Sequence, residues 1–72
     1  MIMNKLCDVD CTLIHETDLA FLVTSDETGQ KAWVPKAVAE FERADKGYPH
    51  RRPPVDGTIT LPESWAIEKL LV

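Results

Sequence analysis

Residues 19–36, LAFLVTSDETGQKAWVPK, decide how this chain folds. An apolar run, a polar turn and a second apolar run closed by Pro35 read as a β-hairpin. Leu19, Phe21 and Val23 alternate with Ala20 and Leu22, so both parities are apolar. That pattern predicts a central strand over 19–24, covered on both faces. Ser25-Asp26-Glu27-Thr28-Gly29 is a run of turn formers in which Gly29 supplies the left-handed residue that closes the hairpin. The chain returns over 31–34. Pro35 has no N–H to give to a ladder, so it marks an edge or the strand's end.

Working outward from the hairpin, the preceding segment alternates with period two. Cys7, Val9, Cys11, Leu13 and His15 share one parity; Asp8, Asp10, Thr12 and Ile14 share the other. Acidic residues on one side and apolar ones on the other predict a half-buried strand over 9–16, pairing with the hairpin. On the C-terminal side, residues 36–44 fit two templates. Alanine and glutamate favour a short helix, whereas Ala39, Phe41 and Arg43 alternate with Glu40 and Glu42 as in a strand. In a compact β context we read a turn after Pro35 and a short strand near 39–42. Residues 45–56, DKGYPHRRPPVD, form a loop stiffened by its prolines. GTITL at 57–61 is a β-branched strand. Pro62 suits a first helical turn, and a helix then runs to Leu71 with Ala66, Ile67, Leu70 and Leu71 on the side that covers the sheet. The expected fold is α+β and mostly β: four to five short antiparallel strands, as a small open barrel or meander, with one C-terminal helix.

Size and charge narrow the functions this fold could serve. Seventy-two residues make one small domain that buries only about 60% of its unfolded surface, so its core is marginal. No apolar run approaches the roughly 20 residues of a membrane span, and Asn4, Lys5 and Asp8 interrupt any signal-peptide pattern. A reduced, cytoplasmic setting is the expectation. Twelve acidic residues against eight basic ones leave a net charge of −4. That argues against a dedicated nucleic-acid binder, which needs a basic surface, and is too mild by itself to mark a nucleic-acid mimic.

Three groups of residues carry potential chemistry. Asp8-Val9-Asp10-Cys11-Thr12 resembles the nucleophile motif of haloacid-dehalogenase-type phosphatases, but that reaction needs a metal and further groups on a large parallel sheet, which this length does not hold. The solvent face of a strand is the simpler reading. Cys7, Cys11 and His15 are spaced by four. On a helix they could share a zinc ion, but on a strand each step of four spans roughly 13 Å, out of reach of ligand distances of about 2.0–2.3 Å. Tyr48, His50, Arg51 and Arg52 are a basic-aromatic loop able to hold a phosphate or a carboxylate-rich partner. Trp33 and Trp65 are core residues or anchors for a partner. No catalytic grouping and no cofactor are implied.

AFLVTSDETGQKAWVPK at 20–36 and GTITLPESWAIEKLL at 57–71 resemble a group of small uncharacterised phage and prophage proteins. Those combine an apolar strand, an acidic-glycine turn, a Trp-apolar-Pro-Lys segment and a Leu-Pro-Glu-Trp-Leu-Ala-like ending. This chain departs from that pattern at Ser64-Trp65 and in its longer Arg-Pro loop. The resemblance implies an accessory protein of the host cytoplasm that binds a host or phage protein complex. One such role is inhibition of a bacterial defence complex of the CRISPR type. Asp8, Asp10, Asp26 and Glu27 would then meet a basic groove, with Trp33, Tyr48, Arg51, Arg52 and Trp65 as further contacts. The alternative is a nucleic-acid-associated small β-barrel using Lys31, Trp33, Lys36 and the arginine loop, disfavoured by the net charge. Self-association is compatible with both, because an open sheet leaves edges to cover.

Overall fold

A computed structural model describes residues 5–44 and 52–72; Tyr48, His50 and Arg51 lie outside the described residues. The described residues form five strands and one helix: β1 (Leu6–Glu16), β2 (Ala20–Ser25), β3 (Lys31–Pro35), β4 (Glu40–Arg43), β5 (Val55–Pro62) and α1 (Glu63–Glu68). All strand pairs are antiparallel, and the sheet order is β3-β2-β1-β5-β4. The expected strands and C-terminal helix are therefore present, as an open sheet rather than a closed barrel. Residues 40–43 are a strand, which resolves the ambiguous segment in favour of the β context. β3, ending at Pro35, is an edge.

Its middle strand is β1, not β2. Eight residues of β1 pair with β5, from Leu6 opposite Pro62 to Leu13 opposite Val55, while its second half pairs with β2. The β1–β5 ladder joins residues about fifty positions apart, so local pattern gives no hint of it. β5 also begins at Val55, two residues earlier than expected, which moves Asp56 from the loop into the strand. The sheet curls. A flat sheet would hold β2 and β4 about 14 Å apart, yet the Phe21 and Phe41 ring centroids are 6.1 Å apart.

Alternation sorts the residues of each strand onto two faces. On the inner face Val9, Cys11, Leu13, Val23, Val34, Ile59 and Leu61 are buried, with Ala66 and Leu71 closing over them. Phe21, Phe41 and Trp65 pack against this cluster. Gly57 stands opposite Cys11 on one side and Arg43 on the other. A Cβ there would collide with the Glu42 carbonyl and come within 2.5 Å of Phe41 Cζ, so glycine makes room for the Phe41 ring.

Two turns are held by side-chain oxygens. Thr17 Oγ1 accepts from the N–H groups of Leu19 and Ala20 at 3.2 and 3.1 Å, closing the β1–β2 turn. In the β2–β3 turn Gly29 takes φ 75°, as its glycine identity predicts, and donates to the Ser25 carbonyl at 2.8 Å. The buried Ser25 Oγ accepts from Glu27 and Thr28 N–H at 3.3 Å each and donates to the Leu71 carbonyl at 2.6 Å. One hydroxyl thus ties the hairpin turn to the C-terminal segment.

The helix is shorter than its apolar spacing predicts. It starts after Pro62, which ends β5 and stands at the N-cap position without a capping hydrogen bond rather than inside the first helical turn, and runs to Glu68 with Lys69 as its C-cap. Leu71 N–H bonds to the Ala66 carbonyl at 2.8 Å and Leu70 N–H to that of Ile67 at 3.1 Å. This pair of bonds is the Schellman closure, whose C′ residue must be left-handed. That residue is Leu70, at φ 61°. The chain reverses there, so Leu71 becomes fully buried while Leu70 and Ile67, expected to face the sheet, are 60% and 56% exposed.

Candidate functional site: an acidic sheet face

The outer face of β1, β5 and β4 gathers carboxylates in register. Glu40, Thr60 and Asp8 form one row across the three strands, and Glu42, Thr58 and Asp10 the next. A third row pairs Asp56 with Thr12. Thr60 Oγ1 donates to Asp8 Oδ1 at 2.6 Å, Thr58 Oγ1 to Asp10 Oδ1 at 3.2 Å, and Thr12 Oγ1 to Asp56 Oδ1 at 3.0 Å. Each threonine thus fixes the carboxylate opposite it, a cross-strand pairing that holds the acid without neutralising it. Asp8, Asp10, Glu40, Glu42 and Asp56 are all exposed. An open groove of about 370 Å³ covers the β4 side of this face, lined by Asp8, Glu40, Phe41, Glu42, Thr58 and Thr60.

The spacing makes the array tolerable. Carboxylates in one row are separated by a threonine, about 9–10 Å, and successive rows are about 7 Å apart along the strand. Two charges 7 Å apart in water repel by roughly 0.6 kcal/mol, less with salt, whose screening length is about 8 Å at physiological strength. Repulsion within the face is small, but all five charges project the same way. Among the described residues no lysine or arginine stands on the outward positions of these three strands.

The other half of the outer face is different in kind. Ile14 is an extra residue in the β1–β2 ladder, because Leu13 opposes Val23 while His15 opposes Leu22. This bulge moves His15 off the parity it shares with the core residues and onto the outer face. There its ring meets Trp33 edge-on, with centroids 6.0 Å apart. Trp33 lies opposite Leu22 on the edge strand and is 44% exposed. On the opposite, core-facing side of the same strand ends, where Glu16 lies across from Phe21, Lys36 Nζ pairs with Glu16 Oε2 at 2.6 Å and lies 5.2 Å from the Phe21 ring centroid.

The expected contact residues therefore divide. Asp8 and Asp10 lie on the acidic face, on the solvent side of a strand as their alternation implies. Asp26 and Glu27 are exposed in the turn beside it, where Asp26 N–H bonds to the Asp10 carbonyl at 3.0 Å. Trp33 is on the same face but two strands away. Trp65 is half-buried against the core, with Lys69 Nζ 5.6 Å from its ring centroid. Arg52 is exposed, and Tyr48 and Arg51 lie outside the described residues. Glu40, Glu42 and Asp56 belong with Asp8 and Asp10 but escape a linear reading. Their alternation with Phe41 and with Val55 and Gly57 is visible; their alignment with β1 depends on long-range register.

Cys7, Cys11 and His15 do not converge. Both thiols are free on the inner side, Cys11 fully buried, while His15 is exposed beyond the bulge. Burial pushes the Cys11 thiol up to about 12, against partial relief from the Ile59 backbone, with Asp26 and Asp10 adding to the rise. Cys7 is raised as well, first by burial and then by Glu63 and Asp8. Raised thiols are poor nucleophiles at neutral pH, so these two act as small apolar side chains. Among the described residues no helix is long and apolar enough to cross a membrane. No family model, curated protein or solved structure matches the chain.

Proposed function

We propose that this chain is a non-enzymatic accessory protein of the phage type whose acidic sheet face binds a basic protein surface. The target class we favour is the nucleic-acid groove of a bacterial defence complex of the CRISPR kind. The observation that carries the reading is the alignment of five exposed carboxylates on β4, β5 and β1, three of which, Asp8, Asp10 and Asp56, are oriented by threonines. A field of one sign attracts a surface of the other and speeds encounter. A net charge of −4 understates this, because five of the twelve acidic side chains share one face. The resemblance of residues 20–36 and 57–71 to small phage proteins supports the setting.

The alternative, a nucleic-acid-associated barrel, draws less support. Two of the residues it relies on are engaged elsewhere, Lys36 with Glu16 and Trp33 with His15. The test adds the purified chain to a guide-loaded CRISPR effector complex and measures binding of target DNA. The expected result is loss of DNA binding at low salt that fades as salt rises. An unchanged DNA affinity at low ionic strength would rule out this target. A direct shift of DNA by the chain alone would favour the alternative.

A further inference from the structure

The helix C-terminus carries an oddity that folding alone does not explain. The Schellman closure requires a left-handed residue at position 70, where glycine is the ordinary choice. This chain places a leucine there, at φ 61° and 60% exposed. Ile67, one turn earlier, is 56% exposed, and Val72 is 48% exposed. An apolar side chain thus occupies a strained backbone position without gaining burial. Strain held at an exposed position points to use by something outside the fold.

The surroundings say what that is. Thr28 Oγ1 donates to the Leu70 carbonyl at 2.7 Å, which brings the β2–β3 turn against the patch. Exposed Asp26 and Glu27 sit in that turn, and exposed Glu68 lies between Ile67 and Leu70 in the chain. Lys69 Nζ lies over the Trp65 ring. We infer that Ile67, Leu70 and Val72, rimmed by Asp26, Glu27 and Glu68, form a docking surface for a cationic amphipathic segment of a partner protein. Its apolar side would cover the three aliphatic residues and its lysines or arginines would meet the rim. A second copy of this chain fits poorly, since a two-fold contact would set the same acidic rim against itself. This contact lies at the end of the sheet and does not depend on the carboxylate rows of β4, β5 and β1.

Leu70→Gly provides a clean test, because it removes the anchor while supplying the residue the backbone prefers. A synthetic lysine/leucine amphipathic peptide is titrated into the labelled protein and followed by amide chemical shifts, with a glutamate/leucine peptide as control. Saturable shifts at 26–28 and 67–72 with the cationic peptide alone are expected. Leu70→Gly should raise the thermal midpoint by a few degrees and weaken the peptide by about tenfold. Shifts confined to Asp8, Asp10, Glu40 and Glu42, or equal affinity in Leu70→Gly, would overturn the proposal. So would concentration-dependent broadening of 67–72 without peptide, which would assign the patch to a second copy. Neutralising the sheet carboxylates should leave this contact intact, so failure here and failure of the sheet-face reading are told apart.

Discussion

The two sides of the β1–β5 ladder share one backbone and do opposite work. Inward, Val9, Cys11, Leu13, Ile59 and Leu61 are almost wholly removed from water. Outward, Asp8, Asp10 and Asp56 alternate with Thr12, Thr58 and Thr60 in exposed or half-exposed positions. A chain of this size has a net stability of roughly 4–11 kcal/mol, and burying one aliphatic side chain is a gross gain of about 1.5–3 kcal/mol set against the entropy of folding. The inner side therefore has little freedom to change. The outer side adds little to stability, and its residue choice is open to selection for binding.

The sharpest way to break this contrast is to cut into the inner side. Ile59→Ala should cost about 2–5 kcal/mol and leave the chain largely unfolded, read by urea titration with circular dichroism. Gly57→Ala comes next. Its methyl meets the Phe41 ring and the Glu42 carbonyl, the second a backbone atom of the paired strand, so a loss of about 1–3 kcal/mol is expected. A smaller effect appears with pH. The unfolded Cys11 thiol ionises near 9.0 and the folded one near 12. Between those values the unfolded state has already released a proton that the folded state keeps, so stability falls as pH rises, by up to about 1.4 kcal/mol per unit. Urea midpoints at pH 8 and pH 10 should separate in the natural protein and converge in Cys11→Val, apart from a residual slope from Cys7. Least of all, Asp56→Asn on the outer side should stay within about 0.5 kcal/mol of the natural stability. A large loss there would show that the outer side is structural after all.

What could be read from the linear chain follows from the range of the forces involved. The β1 alternation, the Gly29 turn and the edge position of Pro35 are local, and the fold has them where their chemistry puts them. Three features depend on distant partners. The register that aligns Glu40 and Glu42 with Asp8 and Asp10 exists only once β5 has paired with both neighbours. The Ile14 bulge, which turns His15 outward, is set by the β1–β2 pairing rather than by any residue that demands it. The Leu70 reversal is missed because leucine is a good helix former and its apolar spacing continues the helix smoothly. The Ser25 and Thr28 bonds to the Leu71 and Leu70 carbonyls, 46 and 42 residues away, accompany it instead. Leu71 is buried as its spacing predicts, but by chain reversal rather than by the helix wheel.

On the function proposed above, the acidic outer face serves binding and is dispensable for folding. The most direct test is one variant, Asp8→Asn/Asp10→Asn/Glu40→Gln/Glu42→Gln, measured twice: for urea unfolding, and for its effect on target-DNA binding by the effector complex. A midpoint equal to or slightly above that of the natural chain is expected, together with loss of the low-salt inhibition. A variant that unfolds, or one that stays folded and inhibits as well as the natural chain, would contradict this reading.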